Sequence, residues 1–218
     1  MKSISDIILN FILNRRKNYK KNLAGDIGNF FRAGGNELIF DSLLLNSDSL
    51  VLDAGSFDGV FIENLLVKFG CKIIGFEPNK DNYALVSEKF KKNNNVKIIE
   101  KAIWNSNTII NLSNDGINSG SFVKNQDIIK VTAVDIVDLI SEYKFIDLIK
   151  LNVEGAEYAI LEKIIKTNSL KSFKSFLIQF HDIDNNSSEK RNFIRSQLLS
   201  NNFKEIFNYN FVWEYWSK

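Results

Sequence analysis

Cysteine and histidine are almost missing from this sequence of 218 residues, which contains one of each, Cys71 and His181. A single cysteine excludes an internal disulfide and any metal site built from several thiolates, and it is typical of proteins from reducing compartments. We therefore expect a cytoplasmic protein. The simplest role for Cys71 is that of a small buried residue beside a strand.

A large net charge is also missing. The 28 basic and 26 acidic side chains leave a formal charge of +2, and 44% of the residues are hydrophobic. Such a small charge produces no long-range field that would attract a phosphate backbone, so we expect no nucleic-acid partner. The hydrophobic content is enough for one sizeable core, and nothing indicates two large domains.

The start of the chain lacks a long apolar run, because Asp6 and Asn10 interrupt it and no small-residue cleavage site follows. We therefore predict neither a signal peptide nor a transmembrane span there. Apolar side chains at helical spacing between Ile4 and Ile12, followed by basic residues, predict an amphipathic helix. We expect this helix to pack on its own domain or on a second subunit, with a peripheral membrane contact as the alternative that we do not favour.

Short β-type segments alternate with helical segments from residue 49 onwards, which is the pattern of a parallel sheet covered on both faces. Residues 1–48 are then an N-terminal helical extension, and residues 49–218 form the main domain. An insertion at 104–140, between the third and fourth strands, could shape a substrate pocket. The predicted strands are 49–54, 72–77, 96–100, 145–152, 175–180, 203–207 and 211–216, with helices near 58–69, 80–92, 155–167 and 187–201.

The last two predicted strands are joined by a link that is too short for a crossover, so they must form an antiparallel hairpin. The expected architecture is therefore an α/β, Rossmann-like fold. It has a seven-stranded, mostly parallel sheet, helices on both faces and a C-terminal antiparallel hairpin.

The first predicted strand ends in an acidic residue and a glycine loop, with Asp53 followed by Gly55 and Gly59. A dinucleotide fold would carry G-x-G-x-x-G at this place, so the spacing disfavours a nicotinamide-dependent oxidoreductase. A carboxylate at the strand end suits a ligand with an ammonium group, and Gly55 lets the backbone approach that ligand. We therefore expect a cationic or zwitterionic ligand.

Three further positions complete the expected ligand. Glu77 ends the next strand, where its carboxylate can accept hydrogen bonds from both hydroxyls of a ribose. Pro78 follows as a rigid apolar contact for a base, and Ala102 and Ile103 offer an apolar edge with backbone groups for an adenine. An amino-acid end, a ribose and a base together describe S-adenosylmethionine.

Five segments stand in a characteristic order and spacing: VLDAGSFDGVF, GFEPNKDNY, KAIWNSN, VTAVDIVDLI and DLIKLNVEGAEYAIL. Through these segments the sequence resembles the FkbM-type methyltransferases over residues 49–182. This resemblance implies a class I S-adenosylmethionine-dependent fold and methyl transfer, mostly to hydroxyls of sugars and natural products. It also implies cofactor contacts along the glycine loop, at Asp53, Ala54, Gly55, Ser56, Phe57 and Gly59.

One departure from the family pattern falls at Asn152, where the family usually has aspartate. A neutral amide replaces an ionised acceptor there, which weakens any role of this position in metal binding or proton abstraction. The departure keeps a second function open, that of a non-catalytic, methyltransferase-like module that binds a glycan or a partner protein.

The candidate catalytic residues are Lys150, Asn152, Glu154 and His181, at predicted strand ends or just after them. Lys150 lies in a buried strand, so its ammonium must either pair with a carboxylate or reach the cleft. Glu154 and Glu157 fall in the first turn of the next helix, where the helix dipole is enough to explain Glu157. Glu154 is closer to the strand end and is the better functional candidate.

His181 follows the fifth predicted strand at the edge where open α/β sheets bind ligands. We expect it to act as the general base that removes the proton of an acceptor hydroxyl during direct in-line methyl transfer, with Glu154 as the second candidate. In an alternative, His181, Asp182 and Glu154 hold a divalent cation that lowers the pKa of the hydroxyl. We favour the route without a metal.

Overall fold

The computed structural model describes residues 26–113 and 128–218. The predicted amphipathic helix at the N-terminus and the middle of the predicted insertion lie outside these residues. The chain divides into two compact units between Ser42 and Leu43. The domain boundary near residue 48 stays a prediction, and each unit is described by itself.

The described part of the first unit contains two short helices, α1 (Asp26–Arg32) and α2 (Gly35–Ser42). Phe30 is buried, and a Cβ atom at Gly35 would lie 2.4 Å from its ring. Only glycine therefore lets α2 start this close to the Phe30 ring.

Outside the predicted insertion, the strands and helices of the second unit follow the order that the sequence predicts. A short 3₁₀ turn at Leu170–Ser172 precedes its eighth strand. The elements are β1 (Leu50–Ala54), α3 (Val60–Phe69), β2 (Lys72–Phe76), α4 (Lys80–Phe90), β3 (Val96–Ile99), β4 (Ala102–Trp104), β5 (Thr108–Ser113), β6 (Ile128–Asp135), α5 (Ile136–Tyr143), β7 (Ile146–Leu151), α6 (Glu157–Lys166), β8 (Phe173–Ile178), α7 (Ser187–Ser200), β9 (Lys204–Tyr209) and β10 (Trp213–Ser217).

Seven of these strands form one sheet in the order β3-β2-β1-β7-β8-β10-β9. The pairs from β3 to β8 are parallel, whereas β10 runs antiparallel to both β8 and β9. This confirms the predicted mostly parallel sheet with a C-terminal antiparallel hairpin. The chain changes direction across the sheet between β1 and β7, and ligands of open α/β sheets bind outside the carboxyl ends of the strands at such a point.

The central strands are continuous apolar segments because helices cover both of their faces. Val51, Leu52, Leu148 and Ile149 are fully buried, and the core on one face also contains side chains of α5, α6 and α7. Cys71 lies just before β2 and is fully buried, and this burial raises the pKa of its thiol to about 11. Its predicted role as a small buried residue is confirmed.

Strands β5 and β6 of the predicted insertion pair with each other, and β6 also pairs with β4, which gives a second sheet in the order β4-β6-β5; helix α5 follows β6. The β-type segments were expected there, but the helix was not, although Ile136, Leu139 and Ile140 recur at helical spacing and are buried. Within residues 26–113 and 128–218, no helix is both long enough and apolar enough to cross a membrane.

Candidate active site

The loop from β1 to α3 depends on two glycines for reasons of packing. Gly55 has a φ of 85°, and a Cβ atom there would lie 2.1 Å from the carbonyl oxygen of Asn152, at the end of β7. Gly59 has a φ of 71°, and its Cβ would lie 2.6 Å from the ring of Phe90. The protein itself therefore requires both glycines, whether or not a ligand also approaches them.

Glu77 shapes the same loop from the end of β2. Its Oε2 accepts a hydrogen bond from the backbone N–H of Phe57 at 2.8 Å, and its Oε1 accepts one from the N–H of Asn79 at 2.9 Å. Burial raises the pKa of Glu77, while these hydrogen bonds, the charge of Lys150 and the side chain of Asn82 act in the opposite direction. The N–H groups of Phe57 and Asn79 and the side chain of Asn82 occupy three of the about four acceptor positions of this carboxylate, which leaves about one for a ribose hydroxyl. Contact of Glu77 with a ribose therefore stays a prediction.

The other predicted cofactor contacts lie around this loop. Ala54 and Ser56 are buried, and the hydroxyl of Ser56 donates to the carbonyl oxygen of Asp53 at 3.3 Å. Pro78 is half-buried, whereas Ala102 and Ile103 begin β4 and direct their side chains into the two hydrophobic cores. Their roles toward a base stay predictions.

A buried ion pair joins the central strands. Lys150 Nζ lies 2.9 Å from Asp53 Oδ1 and donates a hydrogen bond to the carbonyl oxygen of Gly55 at 2.8 Å. The side chain of Asp53 is fully buried and that of Lys150 is 5% exposed. Of the two expectations for Lys150, pairing with a carboxylate is the one that the structure shows.

Three acceptor atoms at the ends of β1 and β7 receive no hydrogen bond from the described residues. Lys150 faces Asp53 Oδ1 as an ion-pair partner, and neither carboxylate oxygen of Asp53 accepts a hydrogen bond from the residues that the structure describes. The same holds for the buried Oδ1 of Asn152, which follows the adjacent strand. Buried polar atoms are normally satisfied, and Asp53 Oδ2 and Asn152 Oδ1 also lack an ion-pair partner among the described residues, so these two atoms offer acceptor positions to an external donor.

His181 lies between two carboxylates at the carboxyl edge of β8. Its Nδ1 is 3.1 Å from Glu157 Oε1, and its Nε2 is 3.4 Å from Glu154 Oε2. Glu157 Oε1 also accepts the backbone N–H of His181 at 2.8 Å, and the Glu157 side chain is fully buried. Sequence reasoning assigned Glu157 to the helix dipole alone and missed this contact; the only available signal was its place at the same sheet edge as His181.

Electrostatics within this cluster favour the protonated imidazole. Burial lowers the pKa of His181, but the hydrogen bond and charge of Glu157, together with the charge of Glu154, outweigh it, so the pKa is raised above the ordinary value. Burial likewise raises the pKa of Glu154, against the opposing charge of His181. The proton affinities of these side chains are therefore coupled.

The turn between β7 and α6 holds Glu154 in an unusual conformation. Its φ is 51°, in the left-handed region that residues with a Cβ seldom adopt, and Gly155 follows with a φ of 100°. The N–H of Gly155 donates to Glu157 Oε2 at 2.9 Å. The backbone is therefore strained at Glu154, whose carboxylate lies beside the imidazole of His181. Strained backbone conformations of this kind cluster at functional sites.

Asp182 does not belong to this cluster, because its side chain is exposed on the segment after β8. No group of three or more histidine, cysteine or acidic side chains is arranged to hold a metal ion in the described parts of the chain. A surface cavity of about 530 Å³ lies elsewhere, beside Glu63, Lys89 and Phe90, and none of the candidate residues lines it.

Comparison of the sequence with known protein families gives a match to a methyltransferase family. Residues 53–209 match the model of a family described as the methyltransferase FkbM domain. No curated protein matches the sequence at a significant level.

Solved structures with a similar fold have low sequence identity. A putative rRNA methylase from Clostridium thermocellum is 13% identical, with 85% of this chain and 94% of that one covered and a TM-score of 0.52. A precorrin-6y C5,15-methyltransferase from Geobacter metallireducens is 11% identical, with coverage of 84% and 86% and a TM-score of 0.49.

Proposed function

Since the chain belongs to the FkbM methyltransferase family, we propose that it transfers a methyl group to a hydroxyl of a sugar or glycan precursor. Family and fold make it an S-adenosylmethionine-dependent methyltransferase. The hydroxyl acceptor and its sugar nature are our proposal. The observation that carries the chemistry is His181, held between two carboxylates at the sheet edge where ligands of this fold bind.

The residues at the ends of β1 and β7 fit the amino-acid end of S-adenosylmethionine. Asp53 and Asn152 present buried oxygens that accept no hydrogen bond from the described residues, and an ammonium group offers three donors. Glu77 lies at the end of the neighbouring strand, where it would hold the ribose. When bound, the cofactor would supply a sulfonium methyl group to the acceptor oxygen, with the methyl–sulfur electron pair left on sulfur.

The protein has two tasks in such a reaction: aligning the acceptor and removing its proton. His181 can accept the hydroxyl proton at Nε2, because a neutral imidazole nitrogen without hydrogen is a base near neutral pH. The nearby carboxylates of Glu154 and Glu157 stabilise the imidazolium that results. Asn152 takes no proton in this scheme, so the departure from the family aspartate leaves the proposed base intact.

We expect Glu77→Gln to weaken S-adenosylmethionine binding about ten- to a hundredfold, the equivalent of losing one charged hydrogen bond. Glutamine is preferred to alanine because its amide oxygen still accepts one of the two N–H groups, of Phe57 or Asn79, that Glu77 binds, whereas alanine would leave both unsatisfied. Isothermal titration calorimetry on the full chain measures the change. Glu162→Gln on the surface of α6 is the matched control, and an unchanged affinity in Glu77→Gln would overturn the ribose assignment.

The acceptor can be identified by mass spectrometry of nucleotide-sugar pools and surface glycans from cells with and without the protein. We expect one methyl group to be missing from a single sugar species in the cells that lack it. Parallel incubation with total RNA tests the class of acceptor named for the Clostridium protein. Failure to form S-adenosylhomocysteine with any fraction would instead favour the non-catalytic binding module.

A further inference from the structure

We propose that Glu157 is a positioning residue that keeps the proton of the neutral His181 ring on Nδ1, so that Nε2 is the atom that accepts the substrate proton. This inference rests on the proposed function of His181 as the base. It assigns to Glu157 a role that the helix dipole alone does not explain.

The contacts of Glu157 define which of its partners donate. Its Oε1 accepts the backbone N–H of His181 at 2.8 Å, and its Oε2 accepts the N–H of Gly155 at 2.9 Å. These two backbone donors hold both oxygens in place on a side chain that is fully buried. An ionised carboxylate can only accept hydrogen bonds, so Nδ1, at 3.1 Å from Oε1, must be the donor in their contact.

The other ring nitrogen meets a weaker partner. Nε2 lies 3.4 Å from Glu154 Oε2, beyond the usual range of N–H···O hydrogen bonds. The side chain of Glu154 is 25% exposed, whereas that of Glu157 is buried, so only the Nε2 side of the ring borders a carboxylate in contact with solvent. An acceptor hydroxyl can therefore replace Glu154 at Nε2 but cannot replace Glu157 at Nδ1.

Other groups also act around the ring. A hydrogen bond with the backbone of Gln179 raises the pKa of His181. Lys150 acts on Glu154 through its charge, the hydroxyl of Tyr158 donates to the carbonyl oxygen of His181 at 2.7 Å, and Asp182 is exposed. The hydrogen bond of Tyr158 thus holds the backbone of His181. In the reaction the acceptor hydroxyl would pass its proton to Nε2 as its oxygen takes the methyl group, the methyl–sulfur electron pair would remain on sulfur, and Glu157 would face the imidazolium at Nδ1.

The only histidine of the chain makes a direct test possible. Labelling with ¹⁵N-histidine yields the signals of one imidazole, those of His181. At a pH where the ring is neutral, we expect the Nδ1 signal of a protonated nitrogen and the Nε2 signal of an unprotonated one. A neutral ring with its proton on Nε2 would overturn the inference, and this measurement needs neither acceptor nor cofactor.

Glu157→Gln should lower the pKa of His181, because it removes the nearer negative charge, and should lower kcat at least about tenfold. The affinity for S-adenosylmethionine should stay within about twofold. Tyr158→Phe is the matched control on the same helix, since it removes the hydrogen bond to the His181 backbone and should leave the tautomer unchanged. Equal effects of both substitutions on the ring signals would show that Glu157 acts only as a structural contact.

These experiments distinguish the role of His181 as the general base from the role of Glu157 in positioning its ring proton. If the wild-type ring carries its proton on Nδ1 but His181→Asn retains full turnover, the base is elsewhere and only the proposed role of His181 is wrong. If His181→Asn is inactive but the wild-type proton resides on Nε2, the positioning role of Glu157 is wrong. Should Glu157→Gln not fold, the wild-type spectrum alone decides the tautomer.

Discussion

Replacement of His181 by asparagine is expected to lower kcat about a hundred- to ten-thousandfold and to leave S-adenosylmethionine binding nearly unchanged. The substitution removes the nitrogen that accepts the hydroxyl proton. Its amide can still donate toward Glu157 Oε1, which lies 3.1 Å from Nδ1 in the native protein, so the buried carboxylate keeps a partner. Turnover to S-adenosylhomocysteine and calorimetric titration of the cofactor measure the two effects.

The pH profile of the native enzyme provides an independent check of this role. Activity should rise with pH through the pKa of His181, because only the neutral ring accepts a proton, and the midpoint should lie above the ordinary histidine value of about 6.5. The direction follows from Glu157 and Glu154, whose hydrogen bond and charges raise this pKa against the effect of burial.

The same shift predicts the opposite trend for stability. A histidine whose folded pKa exceeds its unfolded pKa stabilises the fold fully below the unfolded value, and this contribution is lost as the pH rises through the folded value. His181 should therefore contribute less stability in the window where activity increases.

Near-native turnover of His181→Asn would contradict the assignment of His181 as the general base and make Glu154 the next candidate. Activity abolished by a chelator and restored by magnesium would favour the metal-assisted route.

Lys150→Met should destabilise the fold by about 3 to 5 kcal/mol, because it leaves the charge of Asp53 buried without compensation. Asp53 is fully buried between β2 and β7, and Lys150 Nζ, at 2.9 Å, is the cation paired with it in the described structure. Methionine keeps most of the length of the lysine side chain, so the loss of charge dominates over the loss of packing. Urea unfolding followed by circular dichroism measures the change.

Two further variants isolate the electrostatic part of this effect. Lys166→Met removes an exposed partner of Glu162, at 3.3 Å, and should cost less than about 1 kcal/mol. The double variant Asp53→Asn with Lys150→Met should be more stable than Lys150→Met alone, because no unpaired charge remains in the core. If Lys150→Met costs no more than Lys166→Met, the ion pair does not carry the stability that its burial indicates.

The order of strands and helices was predictable because its signals are local. Buried parallel strands appear as short apolar segments, helices as apolar residues at 3.6-residue spacing, and the short link before β10 forces a hairpin. The position of the candidate site at the carboxyl edge of the sheet was predictable from the same pattern, because the carboxyl ends of parallel strands lie together. This is why Asp53, Asn152 and His181 were predicted at one edge, where the structure places the ends of β1, β7 and β8.

The partners of those side chains depended on the tertiary structure. Lys150 lies opposite Asp53 because of the register between β1 and β7, and Gly55 is required because Asn152, distant in sequence, brings its carbonyl oxygen to 2.1 Å from where a Cβ would be. The contact of Glu157 with His181 depends on how helix α6 is rotated against the end of β8. The spacing of apolar residues specifies which face of an element is buried, but register and rotation are decided by the packing of the whole core, and they select which polar side chains meet.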